Sequence, residues 1–139
     1  MLLGQEFYLH DYDWNVKVFY VIDNVPIEYI IEELQAIGCS DIDLDEVFKN
    51  LEDNSKNRGV TYSNTSAHES IIVIGETSCP AEFQNSFDHE KHHLAVHIAK
   101  FFNLDPYGEE IAYLVGDIGL QMFPVAKRFL CEHCREKMK

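Results

Sequence analysis

Two stretches decide the reading: Asp88-His89-Glu90-Lys91-His92-His93, and Gly108-Glu109-Glu110-Ile111-Ala112-Tyr113-Leu114, where a second helical pattern opens. His89, Glu90 and His93 spell H-E-x-x-H. On a helix, residues four apart lie one turn up the same face, so both imidazoles can reach one tetrahedral metal. Glu90 falls at a neighbouring position, where its carboxylate can take a proton from metal-bound water instead of binding the metal. A third ligand has to come from elsewhere. Glu109 is placed to supply it, with Glu110 beside it, since only one need reach the metal.

Around this centre, Thr77-Ser78-Cys79-Pro80 reads as a helix start with Pro80 in the first turn. The predicted helix runs to about Phe102, with Phe83, Phe87, Leu94, Ile98 and Phe101 as its apolar stripe. His89, His93 and His97 share an adjoining stripe, at i, i+4 and i+8. Asn103-Leu104-Asp105-Pro106 breaks the pattern. A last helix is predicted over roughly 107–131, carrying Ile111, Leu114, Val115, Ile118 and Met122 inward before a charged tail.

Upstream, residues 6–10 and 14–22 read as strands, rich in β-branched and aromatic side chains. Asp23-Asn24-Val25-Pro26 is a turn into a short helix ending near Ile37, with Gly38 as its stop. Asp41-x-Asp43-x-Asp45 with Glu52 suggests a calcium loop, but the sixth position holds Glu46 where such loops need glycine. Leu44, Val47, Phe48 and Leu51 instead predict an amphipathic helix, with Asp43 as its cap. Asn54–Gly59 is the clearest loop. Val60–Ser63 and Glu69–Gly75 follow as strands. The run Ile71-Ile72-Val73-Ile74 predicts burial on both faces or against the motif helix.

The chain has 139 residues, 46% of them hydrophobic, and a net charge of -13. Its length favours one domain: a strand–helix part over 1–55 and a motif-bearing part over 60–131. No apolar run is long enough to span a bilayer, and Met1–Glu6 lacks the features of a secretory leader, so a cytoplasmic location is expected. The negative charge argues against grip on nucleic-acid phosphates, apart from an acidic protein that mimics DNA. Cys39, Cys79, Cys131 and Cys134 are expected to be free thiols. Cys131-Glu132-His133-Cys134 is half a zinc site without a second half.

Four of the seven histidines fall within His89–His97. The crowding admits three explanations: an active zinc site, a relic that binds metal weakly or not at all, or an accident on an acidic, His-rich surface. His97 has three readings, as a partner behind a ligand, a substitute ligand or a polar edge residue. Tyr113, one turn beyond Glu109, is a candidate hydrogen-bond partner for a ligand or an oxyanion, though a core tyrosine is the simpler reading. His92 is expected to face solvent. Asp88 is expected at the helix surface.

Thr61-Tyr62-Ser63-Asn64-Thr65, the strand Ile71–Ile74, Ser78–Phe87, the H-E-x-x-H and Glu109–Gly116 occur in order over residues 60–124. Together they resemble the small zincin-like proteins of phages and gut-bacterial mobile elements. The resemblance implies a minimal gluzincin-type layout, with a His-His-Glu ligand set for Zn2+. It selects Glu109 over Glu110, because the glutamate stands three residues before Ala112-Tyr113-Leu114. It departs at His97, a position often acidic in such proteins.

The expected fold is therefore α+β: a small mixed or antiparallel sheet packed on helices, with the motif helix and the following helix antiparallel. A short connection between those helices should let His93 and Glu109 approach each other. The expected function is a zinc-dependent metallopeptidase-like protein. Glu90 serves as base and then acid on a peptide or protein substrate, which is paired along the strand near 69–75. The alternative is a non-catalytic phage or mobile-element interaction protein, whose acidic surface binds a basic partner. A chain this small leaves little room for the second subdomain that usually walls a peptidase cleft.

Overall fold

The computed structural model describes residues 1–52 and 59–139. The loop expected at Asn54–Gly59 thus lies, but for Gly59, outside the described residues. The fold is α+β, with a four-stranded mixed sheet and, among the described residues, five α-helices.

β1 (Leu2–Leu9) and β2 (Trp14–Val21) form an antiparallel hairpin. Its 3-10 turn, His10–Tyr12, is closed by Asp13 at φ 50°. β1 starts four residues earlier than the sequence suggested, because Leu2 and Leu3 pair with Val21 and Tyr20. α1 (Ile27–Ala36) and α2 (Asp41–Glu52) follow. Ser40, not Asp43, caps α2: its Oγ accepts from the Asp43 N–H at 3.3 Å and donates to Asp43 Oδ2 at 3.0 Å. The Ser40 hydroxyl thereby caps the Asp43 N–H and is held in turn by the Asp43 carboxylate.

β3 (Val60–Asn64) and β4 (Glu69–Ile74) form a second antiparallel hairpin, and β4 runs parallel to β2. The sheet order is β1-β2-β4-β3, which leaves β3 at an edge and β4 paired on both sides. The sheet is covered on both faces. Phe19, Val21, Ile71 and Val73 pack on Ile30 and Leu34 of α1 and on Leu44, Val47 and Leu51 of α2. Val16, Val18, Tyr20, Ile72 and Ile74 pack on α3 (Pro80–Phe101) and α4 (Glu109–Ala126). This two-sided burial explains the unbroken apolar run of β4. Each fully buried isoleucine there contributes about 1.5–3 kcal/mol of transfer free energy.

α3 ends through Asn103 at φ 57°. The Leu104 N–H reaches the Ala99 carbonyl at 2.8 Å and the Asn103 N–H reaches Lys100 at 3.4 Å, the two bonds of a Schellman stop. The single helix expected over 107–131 is instead two. Pro124 removes a backbone donor in the last turn of α4, which ends at Ala126. A 3-10 turn, Lys127–Phe129, then leads to α5 (Glu132–Met138). What the sequence suggested as a charged tail is anchored by Arg135, which is 6% exposed. Its guanidinium donates to the Thr77 carbonyl and to Thr77 Oγ1, holding α5 to the segment that leads into α3.

Candidate metal centre

At 100° per residue, α3 divides into stripes. Phe83, Phe87, Leu94 and Ile98 turn to the sheet and are buried. Glu82, Ser86, His89, His93 and His97 line the adjoining stripe, which faces a cleft of about 760 Å³. The opposite wall is Asn50 of α2 with Gly59, Val60 and Thr61 at the start of the edge strand.

The His89 and His93 Nε2 atoms lie 3.2 Å apart, with their rings edge to face. Two nitrogens about 2.0–2.1 Å from one tetrahedral zinc would stand roughly 3.3–3.4 Å apart. The pair is therefore spaced for a shared metal. Neither imidazole is buried in apolar surroundings, so both are open to the cleft.

Glu90 is different: it is 5% exposed. Thr61 Oγ1 donates to its Oε2 at 2.9 Å, while Oε1 lies 3.9 Å from His89 Nε2. Burial holds its pKa above the usual carboxylate range, although the Thr61 hydrogen bond and the neighbouring His89 and His93 pull it down. β3 comes close enough to do this because residue 59 is glycine. A Cβ there would stand 2.3 Å from the Val73 carbonyl oxygen and 3.2 Å from Glu90 Cγ.

His97 closes the stripe one turn beyond His93. Its Nδ1 lies 2.8 Å from Ser63 Oγ, Ser63 Oγ lies 2.6 Å from Ser70 Oγ, and Trp14 Nε1 donates to Ser70 Oγ at 2.8 Å. Indole nitrogen can only donate, so Ser70 accepts from Trp14. The Ser70 hydrogen then has Ser63 as its acceptor, and the Ser63 hydrogen has His97 Nδ1. The reverse direction strands the hydroxyl hydrogen of Ser70, which is 2% exposed, at a cost of about 1–3 kcal/mol. His97 thus accepts at Nδ1 and carries its proton on Nε2. Burial, followed by the charges of His93 and Lys100, depresses its pKa below the ordinary imidazole value.

Glu109 is not brought to this group. It is exposed at the first turn of α4 and does not line the cleft. α4 packs on another side of α3, where a Cβ on Gly119 would lie 3.5 Å from Lys91 Nζ, and where Ile111 lines a groove with Val96, Ala99 and Lys100. These contacts run the two helices antiparallel, as expected. The short connection has the opposite consequence to the one expected, because it starts α4 beside the last turn of α3, where Ile111 lies with Ala99 and Lys100 and α3 ends at Phe101. His93 lies eight residues before Phe101, about 12 Å along the axis. Glu110 stands near Tyr12, whose pKa burial raises first and the Glu110 charge second. Tyr113 is no core residue: it is 74% exposed and lines a separate groove with Asp11 and Tyr12.

Among the described residues, no three His, Cys, Asp or Glu side chains gather as a ready ligand set. The C-x-x-C of Cys131 and Cys134 opens α5 with free thiols and no second pair. Asp88 is held by Lys91 and Gln84, and His92 is exposed. Sequence reasoning missed Thr61, Ser63, Ser70 and Trp14. One signal was present: Thr61 and Ser63 alternate with Val60 and Tyr62, which puts both hydroxyls on one face of a strand.

No family model, no curated protein and no solved structure matches the chain. Among the described residues no helix is long and apolar enough to cross a membrane.

Proposed function

We propose that the chain is a zinc-dependent, metallopeptidase-like hydrolase of peptide or amide bonds, related in layout to small zincin-like proteins. The observation that carries the reading is the His89–His93 pair, with Nε2 atoms 3.2 Å apart beside the buried carboxylate of Glu90. His89 and His93 would hold Zn2+, and its remaining positions would face the cleft. The bound ion would supply a Lewis acid for the carbonyl and lower the pKa of water beside it.

The chain's own residues then have distinct tasks. Thr61 fixes Oε2 of Glu90, leaving Oε1 to accept a proton from water in the cleft and return it to the leaving amine. Burial suits Glu90 to that exchange by bringing its pKa closer to neutral. Extended substrate pairs with β3. The strand near 69–75 cannot serve, because β4 already has a partner on each side.

The incomplete ligand set and the charge of -13 favour a second reading, a non-catalytic scaffold that binds a basic partner. Metal analysis of the purified protein, with turnover of a quenched-fluorescent peptide library, separates the two. Bound zinc, cleavage stopped by a chelator, and a Glu90→Gln variant that keeps zinc but not turnover are expected for the hydrolase. A protein that takes up no zinc even when the metal is added refutes it.

A further inference from the structure

We propose that His97, resting on the hydrolase reading above, is a catalytic hydrogen-bond donor: its Nε2–H holds the acyl oxygen of the substrate amide, and the Trp14–Ser70–Ser63 chain sets its tautomer. It is then not a third metal ligand.

Four observations converge on this. His97 lines the same cleft as His89, Glu90 and His93, so its ring is within the substrate's space. Its Nδ1 is spoken for by Ser63 at 2.8 Å, and among the described residues the ring makes no other hydrogen bond, which leaves Nε2 on the opposite side of the ring. The direction of the chain is fixed at its far end by an indole that can only donate to Ser70 Oγ, at 2.8 Å. Finally, the His97 ring centroid lies 6.4 Å from that of His93, whereas the His89 and His93 centroids are 4.8 Å apart. The first two rings converge, whereas the third, equally spaced along the helix, stands off from its neighbour.

A ring that accepts at Nδ1 carries hydrogen at Nε2 and has no lone pair there to give a metal. What it offers the cleft is a neutral N–H, oriented from behind by side chains of three strands, β2, β4 and β3. Such a donor suits an oxygen that gains negative charge as water adds to the amide carbon, because it is aimed in advance and needs no reorganisation. The long separation in sequence between Ser63 and His97 makes the device a product of the fold, not of the helix motif.

The experiment uses the full chain labelled with 15N-histidine. Long-range nitrogen–proton spectra of metal-free and zinc-loaded protein report the His97 tautomer directly. The Nε2–H form is expected in both states, and Ser63→Ala is expected to lose its uniqueness. Zinc titrations and binding of a dipeptide phosphonamidate, a mimic of the charged acyl oxygen, complete the test. His97→Ala should leave zinc affinity unchanged and weaken the phosphonamidate about 10- to 100-fold, with His97→Gln recovering part of the loss because it keeps an N–H. An Nδ1–H tautomer, an Nε2 resonance that moves to a metal-bound position on loading, or unchanged phosphonamidate affinity in His97→Ala overturns the assignment while the hydrolase reading stands. A wild-type protein that takes up no zinc overturns both.

Discussion

Removing Glu109 should not weaken zinc binding, whereas removing either His89 or His93 should nearly abolish it. The structure sets the scale. With unfolding entropy near 2.1 cal/mol/K per residue over 139 residues, the transition entropy is about 0.29 kcal/mol/K, so 1 kcal/mol moves Tm by about 3.4 °C. Free zinc at about 100 times Kd stabilises the folded chain by about 2.7 kcal/mol, or about 9 °C. Glu109→Ala should retain that shift, because its side chain starts two turns from His93 on a helix packed against another side of α3. His89→Ala breaks the two-imidazole chelate. If Kd then weakens about 100-fold, the same zinc yields about 0.4 kcal/mol, a shift of about 1.4 °C. Differential scanning calorimetry at one fixed free-zinc concentration reads all three. A Glu109→Ala shift as small as that of His89→Ala would refute the placement of α4.

Three further outcomes follow from individual contacts. Glu90→Gln should raise the Tm of the metal-free protein at neutral pH. Burial raises the folded-state pKa of Glu90, so the stability tied to its protonated form is present below the usual carboxylate range and lost as pH rises through the folded value. The gap between variant and parent should therefore close as melts are repeated at lower pH, and a pH-independent gap contradicts the account. Gly59→Ala should cost about 1–3 kcal/mol in chemical denaturation, because the added methyl meets the Val73 carbonyl, and a neutral result would show that β3 can retreat freely. Arg135→Ala should cost about 2–3 kcal/mol by the same measurement, since it strips the Thr77 carbonyl of a charged donor; a loss under about 0.5 kcal/mol means that α5 is held by something else.

The parts of the fold legible in the sequence were those written in local periodicity. The run Ile71–Ile74 read as a strand buried on both faces or against the motif helix, and the stripe from Phe83 to Ile98 read as the apolar side of a helix; the structure gives β4 cover on both faces and lays that stripe on the sheet. Strand partnership was not legible. Nothing in β2 says that its inner neighbour is β4, reached through two helices and β3, because alternation fixes which face a residue takes and not which strand it meets. The α4 boundary failed for a similar reason. Apolar spacing continued past Pro124, but one missing donor near the helix end and the Arg135–Thr77 anchor let the chain turn.

The site divides along the same line. The meeting of His89 and His93 beside Glu90 on one helix was legible because four-residue spacing on a helix is itself a geometry. Glu109 was misjudged because a short connection brings the ends of two helices together, not the middle of one to the start of the next. Thr61 and Ser63 were out of reach, as their partners stand 29 and 34 residues away. Yet these strand hydroxyls bear most directly on whether the motif is an accident. A chance H-E-x-x-H on a polar helix face would leave all three side chains in water. Here the two histidines open to the cleft while the glutamate between them is 5% exposed and bonded to Thr61, under a glycine that leaves room for it. Burying a carboxylate is unfavourable even when it is paired, and leucine at position 90 would suit the same surroundings at no such cost. On the proposed hydrolase reading, a carboxyl group kept in that place, with a hydroxyl to hold it and imidazoles to draw its pKa back down, is there for its use and not for stability.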